Sequence, residues 1–275
     1  MIGFHLSYQW LHYTRPSGPP SPVPEGLERH WVNTPQGRIE VLSNTSSITN
    51  KFNGPPIVFC HGGMGCAWIG RRLGEKSEVM LVGHSSGGGL SQAVLSDGLA
   101  SVKALALLGA VPGFGSVGVY MNWWKMDPWF TIRLIFHLWH SNSPLSHPKL
   151  TQRAFFGDKF PLSAVIPFQR HMNRYESYLW PFGMMYSFTS PSNILSHIRN
   201  DGASSEKVLV MAGTQDKLMT VPVTEKTATF YREAGNDKRD GVRLRFVEGA
   251  GHHLQNDVQW EDGAEKLFEF YKGIA

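Results

Sequence analysis

"EVMLVGHSSGGGLSQAVLS", residues 78–96, decides the fold. Its first half is an apolar run ending at Gly83-His84; its second half carries apolar residues at helical spacing until Asp97-Gly98 stops it. A short apolar run bounded by glycine reads as a strand buried on both faces. Between that strand and the helix stands Gly83-His84-Ser85-Ser86-Gly87, a serine held between glycines. At a strand-to-helix corner this pattern makes a tight, strained turn with the serine hydroxyl at its tip. The five-residue pattern alone says little in a chain with 29 glycines, and an ordinary glycine-rich turn is the alternative. The strand before it and the helix after it carry the reading.

Working outward, the same rhythm repeats. "PPIVFCH" (55–61), "VKALALLGAV" (102–111), "EKVLVMAGT" (206–214) and "VRLRFVEGA" (242–250) read as further strands, the first three bounded by proline or glycine. "RHWVNT" and "GRIEVLS" flank the turn at Pro35-Gln36-Gly37 as a hairpin, and residues 259–274 carry helical spacing. Apolar strands alternating with helices predict an α/β fold, a mostly parallel central sheet with helices on both faces.

Residues 113–203 break the rhythm, being rich in Trp, Phe, Tyr, Met and Pro. We expect a helical lid inserted in a core made of residues 28–112 and 204–275, preceded by a Pro-rich tether over residues 1–27. Within the lid, Asp127-Pro128 reads as a helix start, and "PWFTIRLIFHLWH" (128–140) is apolar on nearly every side, which predicts burial. The lid either lines an apolar substrate pocket, with Trp124 and Trp129 as candidates, or packs onto the sheet.

Bulk composition excludes several classes. A chain of 275 residues with 41% hydrophobic and 17% charged residues is globular rather than disordered. The net charge of +4 is scattered without a basic block, which gives nucleic acid no footprint. No stretch reaches the ~18 to 20 apolar residues of a membrane span. The N-terminus has neither a basic leader nor a continuous apolar core, so no signal peptide is expected. The two cysteines, Cys60 and Cys66, have no metal spacing and make no disulfide framework. Free thiols, a reducing cytoplasmic setting, no metal and no cofactor are the expectations.

A serine hydroxyl is a weak nucleophile and needs a base, an orienting acid and donors for an oxyanion. Asp216 lies just past the strand at 206–214, and His252 follows Gly249-Ala250-Gly251 after the strand at 242–250. His253 is the neighbouring rival for the base, and Asp158 the rival for the acid. The N–H of Ser86, at a helix N-terminus, and that of Gly63 in His61-Gly62-Gly63 would face an oxyanion.

The HGG turn after a strand, the GHSSG elbow, the GTQD turn and the GAGHH loop together resemble the α/β-hydrolase superfamily over residues 28–273. The likeness is to cap-bearing, esterase-like members of the small fungal type. It implies Ser85 as nucleophile, His252 as base and then acid, Asp216 as its orienter, and Gly63 and Ser86 as the oxyanion hole. The substrate would be a small apolar ester or related acyl compound. Members of the superfamily that cleave C–C bonds or act as cofactor-free haloperoxidases share these motifs, so those activities stay open.

The chain departs from the family pattern at one place. The family separates the HG turn from the elbow by a helix, a strand and another helix, whereas only residues 64–77 lie there in this chain. Since a crossover takes at least about 10 to 12 residues, one short helix fits and the rest does not. One strand and parts of two helices are expected to be absent, leaving the strand at 55–61 with an open edge or covered by the N-terminal hairpin. A truncated, non-catalytic binding protein is the corresponding alternative.

Overall fold

The structure, a computed structural model, describes residues 3–8, 23, 25, 27–34, 37–44, 55–62, 79–170, 172, 179–199, 206–235 and 241–274. Strands β1 (Leu27–Thr34) and β2 (Gly37–Asn44) form the expected antiparallel hairpin. The central sheet runs β3 (Ile57–Cys60), β4 (Met80–His84), β5 (Ala104–Leu108), β6 (Val208–Gly213) and β7 (Val242–Val247), adjacent in that order and all parallel.

Side chains alternate across the pleat with period two, which sorts the core into two layers. Leu81, Leu105, Leu107, Val208 and Val210 face helix α1 (Ser86–Ser96) and helix α8 (Val221–Ala234), meeting Val94, Leu95, Ala228 and Tyr231. Their neighbours Met80, Val82, Ala104, Ala106, Leu209 and Met211 face the C-terminal helix α9 (Trp260–Ile274) at Phe270 and Ile274. Both faces are therefore covered at β5 and β6, which carry no polar side chain for that reason.

Between β5 and β6 stand the short helices α2 (Val117–Met126), α3 (Phe130–Phe136), α4 (Pro148–Phe155), α5 (Leu162–Arg170), α6 (Leu179–Gly183) and α7 (Pro191–Ser196). Helix α3 departs from expectation twice. It starts at Phe130, and Asp127 instead ends α2, its carboxylate drawn to Arg133 (2.7 and 3.2 Å) rather than to the N–H groups of a helix start. It is also not buried all round. The Arg133 side chain is sealed inside with Asp127, and this pairing turns Ile132, Ile135 and Phe136 outward, at 44%, 56% and 55% exposure. Residues 3–8 of the N-terminal segment lie along this helix. Phe4 meets Trp129 and Phe136 edge-on, Arg133 Nε donates to the His5 carbonyl at 2.7 Å, and Tyr8 donates to the Phe136 carbonyl.

The expected loss of a strand and parts of two helices falls on residues 63–78, outside the described residues. Strands β3 and β4 pair directly, Ile57 opposite Met80 through Cys60 opposite Gly83. Among the described residues no strand covers the outer edge of β3, the hairpin forms a sheet of its own, and Phe59 is 61% exposed.

Candidate active site

The turn after β4 is strained as the sequence implies. Ser85 has φ +54° and ψ −125°, a region that residues with a side chain rarely enter. Its backbone is held from both sides. The Ser85 N–H donates to Leu108 at 3.1 Å, and its carbonyl accepts from Gly88, Gly89 and Val111 at 3.0, 3.2 and 2.9 Å. The corner is thus fixed to the end of β5 and to the first turn of α1. Gly62 comes against the serine so closely that a Cβ there would stand 2.9 Å from the Ser85 Cβ and 3.4 Å from Oγ. A side chain at Gly87 would likewise run into the carbonyls of Cys60 and His61.

His252 stands opposite, carried by the loop after β7. The Ser85 hydroxyl donates to His252 Nε2 at 3.0 Å, and His252 Nδ1–H donates to Asp216 Oδ2 at 2.8 Å. The other oxygen of Asp216 accepts the N–H groups of Leu218 and Met219, each at 2.8 Å, which locks the carboxylate in its plane. Asp216 and His252 are 3% and 2% exposed, so the pair is shielded from competing water. Geometrically the chain can move the serine proton to the imidazole while the carboxylate keeps the ring in one tautomer.

The two rivals are placed elsewhere. Asp158 is exposed and pairs with Lys217 at 3.1 Å. His253 sits among Phe155, Phe156 and Phe168, accepts from Asn256 at Nδ1, and is pushed down to about 4 by burial and then by His252. Gly63 lies outside the described residues. Ser86 is the first residue of α1 and is buried beside the serine, where helix N–H groups point outward from the N-terminal end. Trp124 is exposed on α2, and Trp129 packs on Phe4.

A family model, the alpha/beta hydrolase family, matches residues 64–268. The chain belongs to that family. No curated protein matches this hydrolase in sequence. Among solved structures, it is similar to a carboxyl esterase from Bacillus coagulans, with TM-score 0.58 and 11% identity over 90% of this chain and 99% of that one. It is similar to a carboxylesterase from Bacillus subtilis, with TM-score 0.53 and 14% identity over 89% and 91% of the two chains. It also resembles a haloalkane dehalogenase from Agrobacterium tumefaciens, with TM-score 0.53 and 14% identity over 91% and 98%. At such identities the likeness is one of fold, and that fold is the α/β-hydrolase fold.

Several residues of the hydrolase site escape a reading of the sequence. His84, inside the elbow, donates from Nε2 to the His252 carbonyl at 3.0 Å; a carbonyl only accepts, so Nε2 carries the proton. Its Nδ1 accepts from Gln255 at 3.4 Å. Burial first, and then His252 and His253, hold the His84 pKa well below the ordinary histidine value. A neutral His84 thus ties the histidine loop to the serine corner. Asp257, 2% exposed, accepts the N–H groups of Gly251 and Gly157, each at 2.7 Å. Gln92 satisfies all four of its bonding positions, donating to Gly88 and Val111 and accepting from Gly113 and Tyr231. The Phe155 ring meets His252, at 5.9 Å between centroids, and its carbonyl accepts the His253 N–H. Among the described residues, no group of three or more His, Cys, Asp or Glu is arranged to hold a metal ion, and no helix is long and apolar enough to cross a membrane.

Proposed function

We propose that this hydrolase is a serine hydrolase that cleaves an ester or related acyl bond of a small apolar substrate. The hydrogen-bonded run from Ser85 through His252 to Asp216, on a strained elbow, carries the reading. Ser85 Oγ attacks the acyl carbonyl as its proton passes to His252 Nε2, and Asp216 holds the resulting imidazolium. The N–H groups of Gly63 and Ser86 receive the oxyanion. His252 then gives its proton to the leaving alcohol, and a water molecule activated by the same imidazole releases the acid and restores Ser85. No metal or cofactor enters these steps.

The apolar preference is supported by Phe155 beside His252 and by the aromatic helices between β5 and β6. We read residues 113–203 as a lid inserted in a core of residues 28–112 and 204–275, with Trp124 and Trp129 as its candidate substrate contacts. The two cysteines, without disulfide framework or metal spacing in the sequence, support a cytoplasmic setting. C–C bond cleavage and cofactor-free haloperoxidase chemistry would use the same three side chains, and substrate profiling separates them. The assembled Ser85–His252 bond speaks against a non-catalytic role.

A panel of p-nitrophenyl esters of increasing acyl length tests the proposal. Wild-type turnover that rises with chain length beyond acetate, and is lost in Ser85→Ala, is the expected result. Equal turnover by wild type and Ser85→Ala would overturn it.

A further inference from the structure

A cleft of about 620 Å³ lies between the N-terminal segment and helix α4, and Ser85, Asp216 and His252 are not among the residues that line it. His5, Lys149, Arg153 and Lys217 line it, with Asp158 as its one carboxylate. That carboxylate is taken by Lys217, at 3.1 Å. Lys149 and Arg153, four residues apart on α4, share a helix face, and no carboxylate answers them among the described residues. The N–H at Arg153 Nε is sealed from solvent and meets no acceptor. Buried donors are normally satisfied, and a guanidinium donor is satisfied best by a charged oxygen. Lys149 stands in the first turn of α4, where the helix already presents its positive end, so cation and dipole add rather than offset.

His5 registers the same field. It stacks on His147 at 4.5 Å, and its pKa is lowered by burial, then by Lys149 and Arg133, with Asp127 opposing. A site with room for a ligand and with Lys149 and Arg153 in its lining, unanswered by any described carboxylate, is built for an anion.

We propose that this cleft binds a small oxyanion, a carboxylate or a phosphate group, through Arg153 and Lys149. Binding there is independent of the chemistry at Ser85.

Calorimetric titration of the full chain with inorganic phosphate and, separately, acetate at constant ionic strength tests this. Saturable one-to-one binding of at least one anion is expected, weakened about tenfold or more in Arg153→Gln and severalfold in Lys149→Gln. Lys149 is exposed, so Lys149→Gln keeps its fold, and ester hydrolysis should be unchanged in both variants. The His5 pKa, followed by NMR, should rise on saturation in the wild type and stay put in Arg153→Gln. Tighter phosphate binding assigns a phosphate site, and tighter acetate binding a carboxylate site. Saturation by neither anion, or equal binding by wild type and both variants, would overturn the proposal.

Discussion

Asp257 Oδ2 accepts the Gly157 N–H at 2.7 Å, across 100 residues of sequence. The same oxygen accepts the Gly251 N–H, and Oδ1 accepts that of Val258. One buried carboxylate therefore fastens the turn after α4 to the loop that carries His252. In Asp257→Ala three N–H groups lose their acceptor, each worth about 1 to 3 kcal/mol when left buried. We expect a loss of about 3 to 5 kcal/mol in urea unfolding. Turnover should fall at least tenfold in the fraction that remains folded. Wild-type stability in Asp257→Ala would show that the fastening is not needed.

The buried histidines set the behaviour in acid. The folded-state pKa values of His84 and His253 lie below the ordinary value of 6.5, that of His253 at about 4. The unfolded chain therefore takes up their protons first as pH falls. Their contribution to stability is full above about 6.5 and is lost progressively below it, for His253 down to about 4. The urea midpoint should drop between about pH 7 and about pH 4.5, and drop less in His253→Phe, whose new ring joins Phe155, Phe156 and Phe168. An identical pH dependence in that variant would contradict the assignment.

Gly62 is required by distance rather than by backbone angle. A methyl group there would stand 2.9 Å from the Ser85 Cβ, inside any normal contact, and either the serine or the turn must shift. A displacement of about 1 Å at a reacting group lowers rates by ~100-fold. Gly62→Ala should lose about 10- to 100-fold in kcat/KM with little change in urea midpoint. Unchanged kinetics would show that the serine corner tolerates displacement.

Gln92 supports the same corner from beneath. Its amide accepts the Gly113 N–H and the Tyr231 hydroxyl, at 3.0 and 2.9 Å. Tyr231→Phe removes one bond and should destabilise by about 1 kcal/mol. Gln92→Leu strands both donors in a buried site and should destabilise by about 3 kcal/mol or more, again read by urea unfolding. Equal effects of the two substitutions would mean that the amide contributes nothing beyond its bond to Tyr231.

What was legible in the sequence was local. The run at 78–83, the glycines around Ser85 and the helix behind them are one contiguous signal, and β4, the strained turn and α1 appear where that signal places them. Asp216 and His252 stand out because each lies in a loop just past a strand, and the structure brings both within hydrogen-bonding distance of their neighbours. Asp257 left no such trace, since its partners are backbone N–H groups, which every residue but proline carries. The position of His84 inside the elbow pattern accepts any residue, so its bond to the His252 carbonyl had no signature. Helix α3 differs from its sequence pattern because Arg133 pairs with Asp127 six residues earlier, across the helix start. No helical spacing announces that pairing, and it turns the apolar side outward.

Covalent labelling with a fluorophosphonate probe, mapped by peptide mass spectrometry, tests the central claim most directly. The account predicts one label per chain, on Ser85. It predicts no label in Ser85→Ala, and labelling slowed by about a thousandfold or more in His252→Ala. A folded wild-type protein that takes no label, or a label that persists in Ser85→Ala, would contradict it.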